Sequence, residues 1–210
     1  MKLPQKILIA SGNKGKFIEI KELLAQINVE GISSAEFNLI EPEETAGTFA
    51  GNALIKAKFY GKKTQLFALA DDSGLCVEAL GGAPGVDSAP FAVDEKTGEK
   101  NFDLAFEKIH KLLEGVGANP AQKPKAHFIC NLCLFDPSTD FAINFEGRVD
   151  GFLTFDKLGN KGFGYDPIFT KNGMNQTFGE IEPQLKDQIS HRAVAFKTML
   201  EYLGRCLDLV

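Results

Sequence analysis

Two short apolar runs, ILIA at residues 7–10 and LFALA at residues 66–70, constrain the fold more than any other feature of this chain. Four or five consecutive apolar residues are too few for a helix core and suit strands buried on both faces. After the first run comes the turn Ser11-Gly12-Asn13. Phe17, Ile20, Leu23, Leu24 and Ile27 then recur at the spacing of an amphipathic helix. A second helix is predicted from the N-cap Thr48 to about Lys63, with Phe49, Ala53 and Ala57 on one side. Phe102, Ala105, Phe106, Ile109, Leu112 and Leu113 mark a third, and a last helix begins at Ser190. Residues 126–135 and 141–149 read as a hairpin turned at Asp136-Pro137-Ser138-Thr139-Asp140. Strands alternating with helices, plus one hairpin, predict an α/β protein with a mixed sheet. The 210 residues contain no internal repeat and fit one domain, residues 1–210.

Charge narrows the partners. Lys plus Arg number 23 against 28 Asp plus Glu, a net charge of −5. That balance argues against bulk binding to nucleic acid or to an anionic membrane, so an anionic ligand would need a local basic cluster. The N-terminal apolar run is too short for a signal peptide and nothing approaches a membrane span, so a cytoplasmic location is expected. Cys130 and Cys133 are formally a C-x-x-C pair, but they lie three apart on a strand and should face opposite ways. All four cysteines are expected to be reduced thiols.

Five segments could carry chemistry. Ser11, Gly12, Asn13, Lys14, Gly15 and Lys16 join a strand to a helix, where free N–H groups and the helix dipole favour a phosphate. The glycine spacing is not that of a Walker loop, and a solvated turn is the plain alternative. Glu43-Glu44 precedes a helix on which Asn52 and Lys56 share a face. Asp71-Asp72-Ser73-Gly74 ends the second apolar run, the place where open α/β sheets bind ligands. Adjacent carboxylates repel, and a divalent cation relieves that; Mg²⁺ needs only one or two carboxylates besides substrate phosphates. Phe163, Gly164, Tyr165 and Asp166 lie in a glycine-bracketed turn where backbone and rings could meet a flat ligand. Finally, His191 and Arg192 open the last helix, where a cation opposes the dipole and is a mild sign of function.

Taken together these segments resemble the inosine triphosphate pyrophosphatase family. The resemblance rests on S-G-N-K-G-K (11–16), E-E-T then T-F-x-x-N-A-x-x-K-A (43–57), A-D-D-S-G-L (70–75), G-G-A-P-G-V (81–86), G-F-G-Y-D-P-I-F (162–169) and S-H-R-x-x-A (190–195). It implies a long mixed β-sheet flanked by helices, two lobes with a central substrate cleft, and a homodimer. It implies Mg²⁺-dependent hydrolysis of ITP, dITP and XTP to the monophosphate and pyrophosphate, and no nucleic-acid or membrane partner. Carried onto matching positions, Ser11 to Lys16 and Lys56 would hold the triphosphate, and Glu43 and Asp72 the metal. Asp72 would also accept the proton, with Lys56 beside it as the second catalytic group. Asn52 would assist on the phosphate side. Ser73, Phe163, Gly164, Tyr165, Asp166, Lys186, His191 and Arg192 would line the nucleoside pocket. The chain departs from the family at Asp87 and Ser88-Ala89-Pro90-Phe91, which puts an arginine contact in doubt but leaves the metal site intact. The alternatives are a related house-cleaning pyrophosphatase with another base preference, or a nucleotide-binding module without turnover.

Overall fold

Ile7, Leu8, Ile9 and Ala10 are fully buried, as a strand covered on both faces requires. They belong to β1 (Lys6–Ala10), which opens a computed structural model describing residues 3–119, 122–154 and 156–207. The elements that follow are α1 (Lys14–Ala25), β2 (Glu30–Ser33), α2 (Phe49–Thr64), β3 (Ala68–Val77), α3 (Ser88–Phe91) and α4 (Phe102–Gly115). They continue with β4 (Lys125–Asp136), β5 (Phe141–Leu153), β6 (Phe169–Lys171), α5 (Pro183–Ile189) and α6 (His191–Leu207). The strands form one mixed sheet in the order β2-β1-β3-β4-β5-β6. β1 runs parallel to β2 and β3, with Ala10 opposite Ala70, while β5 and β6 are antiparallel. β4 and β5 are joined by residues 137–140, a link short enough to require an antiparallel hairpin.

The chain divides into two compact units. The first comprises residues 1–72, 130–147 and 187–210; the second comprises 73–129 and 148–186. In the first, each face of the sheet has its own apolar layer. Ile7, Ile9, Leu69, Cys130, Leu132 and Leu134 pack with residues of α1 and α6, among them Ile20, Leu24, Phe196 and Met199. Leu8, Ala10, Ala68, Ala70, Cys133 and Phe135 pack with Ala53, Ala57 and Tyr60 of α2. Burying each large aliphatic side chain stabilises the fold by about 1.5–3 kcal/mol. α6 crosses β5 so closely that a Cβ on Gly147 would lie 2.1 Å from the His191 carbonyl oxygen. Glycine at 147 permits that approach, and the Ser190 hydroxyl, accepting from the Ala193 amide at 3.2 Å, caps the helix. In the second unit, α4 buries Ala105, Ile109 and Leu113, and the rings of Phe128, Phe169 and Phe178 meet with centroids 4.6 to 6.1 Å apart.

One boundary differs from the sequence expectation in a way that matters. The strand begun at Ala68 does not end at the acidic pair but continues through Asp71, Asp72, Ser73 and Gly74 to Val77. Consecutive strand residues point to opposite faces. Asp71 therefore joins the side of α1 and α6, and Asp72 the side of α2.

Candidate active site

In the first unit the β1–α1 turn is held from several sides. Asn13 caps α1, its Oδ1 accepting from the Lys16 amide at 3.1 Å. The Ser11 hydroxyl accepts from the Asn13 amide at 3.3 Å, and the Gly12 amide donates to Glu41 Oε1 at 2.9 Å. Lys14 is exposed, whereas Lys16 turns inward so that its ammonium lies 2.7 Å from Asp71 Oδ1.

Asp71 is fully buried and is surrounded by donors. Arg192 Nε reaches its Oδ2 at 2.8 Å and the Cys130 thiol at 2.9 Å. Arg192, itself buried, also donates through Nη1 to Glu19 of α1. Burial pushes the Asp71 carboxyl upward, but Arg192 and Lys16 overcome that and hold it well below the ordinary carboxylate range. A cation at the start of α6 is thus balanced by two buried acids, which offsets its conflict with the helix dipole.

Asp72 has different neighbours. Lys56 Nζ lies 3.5 Å from its Oδ1 and 2.6 Å from Glu44 Oε1. Asn52, nearly inaccessible on the preceding turn of α2, accepts from the Ala46 amide at 3.0 Å and so ties the loop carrying Glu44 to the helix. Burial is the largest influence on Asp72; Glu44 and Asp71 add to it, Lys56 and Lys16 oppose it, and the carboxyl rises to about 6. Burial also depresses Lys56, but Asp72 and Glu44 more than offset this and raise it above its ordinary value. Asp72 Oδ2 is buried and has no hydrogen-bond partner among the described residues.

The second unit holds its own group. Gly162 and Gly164 both have positive φ, 71° and 62°, and a Cβ on Gly162 would collide with the Asp166 carboxylate at 2.2 Å. That carboxylate accepts from the Phe163 amide at 2.7 Å and from the Lys186 ammonium, which stands 4.6 Å above the Phe163 ring. Tyr165 is buried edge-on against Phe102, and its hydroxyl donates to the Ser88 carbonyl at 2.9 Å. Burial pushes its phenol well above the ordinary range, so it stays neutral. The segment that departs from the family is anchored within this unit: Ser88 Oγ accepts from the Leu75 amide at 2.9 Å, and Lys108 donates to the Phe91 carbonyl at 3.2 Å.

One unit thus holds a phosphate-type turn, an internally neutralised acid and an acid with an unbonded oxygen. A family model described as the Ham1 family matches residues 7–202. The chain belongs to the Ham1 family. It is 47% identical over 197 residues to a dITP/XTP pyrophosphatase of Zymomonas mobilis, covering 94% of this chain and 91% of that one. A dITP/XTP pyrophosphatase of Rhizobium meliloti is 41% identical over 203 residues, covering 93% and 94%. Among solved structures, a HAM1 protein from Coxiella burnetii superposes with a TM-score of 0.82 at 35% identity, covering 97% of this chain and all of that one. The Staphylococcus aureus Ham1 protein gives 0.76 at 35% identity, covering 95% and 98%. The resemblance read from the motifs and the α/β mixed-sheet fold are both borne out.

Within this Ham1 chain the residues singled out by sequence fall into groups. Ser11 to Lys16, Asn52, Lys56, Asp72, His191 and Arg192 lie in the first unit; Ser73, Phe163 to Asp166 and Lys186 lie in the second. Of the two adjacent glutamates it is Glu44, not Glu43, that the structure brings to Lys56; Glu43 is exposed and has no side-chain hydrogen bond or ion pair among the described residues. Two neighbouring Glu residues in a loop carry no periodicity that could tell them apart. Glu19 was readable: at i+3 from Lys16 it lies on the buried stripe of α1, where an acid needs a cation.

Proposed function

We propose that this chain hydrolyses deaminated purine nucleoside triphosphates (ITP, dITP and XTP) to the monophosphate and pyrophosphate, removing them from the nucleotide pool. The observation that carries this reading is the environment of Asp72, a buried carboxylate with one oxygen near Lys56 and the other unbonded. A buried acceptor without a partner fits a divalent cation or a water, and Mg²⁺ can be held by Asp72 and Glu44 with the substrate phosphates completing its shell. Mg²⁺, when bound, supplies neutralisation of charge on the phosphates and on the departing pyrophosphate.

The chain's own groups then have defined tasks. Asp72 accepts the proton of the attacking water, for which a carboxyl raised to about 6 is well suited near neutral pH. Lys56 and Lys16 offset phosphate charge, and the turn from Ser11 to Gly15 is proposed to cradle the triphosphate, with the Lys14 and Gly15 amides at the first turn of α1 as its backbone donors. Phe163 stacks on the base, and Ser73, Gly164, Asp166 and Lys186 are proposed to meet the nucleoside with it. Tyr165, with its hydroxyl on Ser88, is proposed to shape that turn from within. His191 and Arg192 are proposed to favour a 6-oxo purine by donating to O6. Arg192 would do so with a guanidinium already oriented by Asp71 and Glu19. A cytoplasmic homodimer is part of the same proposal.

The test is a panel of ITP, XTP, dITP, GTP, ATP and dUTP, with and without Mg²⁺, in which pyrophosphate is measured. We expect Mg²⁺-dependent release from the first three. Equal release from ATP would overturn the base assignment, and preference for a pyrimidine would point to a related pyrophosphatase. Binding without release would indicate a nucleotide-binding module.

A further inference from the structure

Asn131 is a polar residue in an apolar row. On β4 it precedes Cys133 and Phe135 on the face that packs with α2, while Cys130, Leu132 and Leu134 occupy the other. It is 96% buried by its 4% exposure, its Oδ1 has no partner, and among the described residues its side chain makes no hydrogen bond. Buried amides are almost always bonded, so one that is not is a place where a ligand completes the structure.

Its position shows which ligand. The Cys130 thiol touches Asp71, and β3 and β4 are neighbours in the sheet, so residues 71 and 130 lie beside each other. Asp72 and Asn131 are each one step from that pair, and both turn to the α2 face. Neighbouring or diagonal positions on adjacent strands have Cβ atoms roughly 5–8 Å apart, a gap that one water can bridge between two side-chain oxygens. Those oxygens are Asp72 Oδ2 and Asn131 Oδ1, both buried and both unbonded. Two acceptors match the two O–H groups of one water.

We propose that Asn131 is a positioning residue of the Asp72 site, and that its Oδ1 and Asp72 Oδ2 together hold the water that attacks the substrate. This rests on the reading of the site given above. With both O–H groups engaged on the protein side, a lone pair of the water points outward to the α-phosphorus. As the O–P bond forms, the proton passes to Asp72. The bond from the α-phosphorus to the bridging oxygen breaks, and its electron pair leaves with pyrophosphate. Asn131 takes neither proton nor charge and acts only by fixing the direction of attack.

Asn131→Leu removes the acceptor and keeps the shape. We expect kcat to fall by about 10–100-fold with KM within about twofold, since a mispositioned nucleophile weakens the chemical step and not binding. The thermal midpoint should stay level or rise, because an unbonded polar group has been replaced by an apolar one. Asn131→Asp keeps an acceptor in the same place and should recover most of the lost kcat at alkaline pH. Crystals of the wild-type protein should show a water within hydrogen-bond distance of both oxygens, absent in Asn131→Leu. Wild-type kcat in Asn131→Leu, equal losses in the Leu and Asp variants, or no such water would overturn the proposal. Should Asn131→Leu not fold, Asn131→Ala serves the same comparison. If the wild-type protein releases no pyrophosphate, the functional reading has failed, and the crystallographic water still decides whether Asn131 and Asp72 share a ligand.

Discussion

The two faces of β3 at residues 71 and 72 are separated by one peptide bond and have opposite electrostatic designs. On the α1/α6 face, Asp71 is saturated: an ammonium, a guanidinium and a thiol all point at it, and it stays ionised. On the α2 face, Asp72 has one ammonium at 3.5 Å, an oxygen without a partner among the described residues and a raised carboxyl. The first arrangement suits a fixed internal counter-ion. The second suits a group that exchanges protons or takes a ligand. Strand alternation alone is enough to give two neighbouring aspartates different occupations, and the difference is measurable.

The largest effect should come from Asp72→Asn. Removing a general base typically lowers kcat by about 10²–10⁴-fold, and pyrophosphate release under saturating substrate checks it. Stability should move the other way. A carboxyl raised in the folded state contributes stability that is fully present below its unfolded value and lost as pH rises through its folded value. In metal-free wild type that loss should fall between pH about 4 and about 6 and amount to something on the order of 2 kcal/mol. Urea unfolding of Asp72→Asn across the same range should lack that fall.

Asp71→Asn should do the reverse, since it breaks a saturated buried cluster. Leaving Arg192 and Lys16 short of an anion should cost about 3–5 kcal/mol in urea unfolding at pH 7. The carboxyl is held low in the folded state, so its contribution is present above the unfolded carboxylate value and is lost only as pH falls well below the ordinary range. At pH 4 to 7 the variant's deficit should therefore remain nearly constant. Activity should fall through a higher KM as Lys16 loses its anchor. A variant with wild-type stability and no activity would show that Asp71 acts on substrate and that the contrast between the two faces is wrong.

Much of this contrast could be read from the chain, and the unread parts have physical causes. The runs at 7–10 and 66–70, the helix from Thr48 and the hairpin at residues 137–140 were legible because apolar periodicity and capping are local signals. β2 and β6 were not: Glu30-Gly31-Ile32-Ser33 shows no alternation, and β6 is three residues long. The continuation of β3 through the acidic pair was hidden because two adjacent aspartates read as a turn unless their counter-ions are known. Those counter-ions, Arg192 and Lys16, lie 121 and 55 residues away in sequence. The family resemblance brought Asp72 and Glu43 forward, but that Glu44 is the acid lying against Lys56 becomes visible only with the fold of the loop onto Asn52.

Glu44→Gln should weaken Mn²⁺ binding, read by electron paramagnetic resonance, by roughly tenfold, because it alters the acid beside Lys56 and Asp72. Glu43→Gln should leave it unchanged. Equal losses in the two would mean that the loop as a whole, and not Glu44, faces the cation.

The smallest effect should come from Cys130, and it tests whether the Asp71 face is as saturated as its contacts indicate. The sequence marks Cys130 only as a reduced thiol; the structure makes it a donor to a buried carboxylate. A thiol is a weak donor, and Arg192 and Lys16 would still neutralise Asp71 without it. Cys130→Ala should therefore cost only about 1 kcal/mol, and Cys130→Ser, which restores an O–H, should cost less. Both should keep wild-type kcat and KM, because Arg192 and Lys16 keep Asp71 as their partner and nothing on the α2 face has changed. Burial and the adjacent Asp71 charge also push the Cys130 thiol well above its ordinary range, so it should resist alkylation in the native protein and react on unfolding. A loss of activity in Cys130→Ala at unchanged stability would couple the two faces of β3, and Asp71 would then have to be counted with Asp72 in the chemistry.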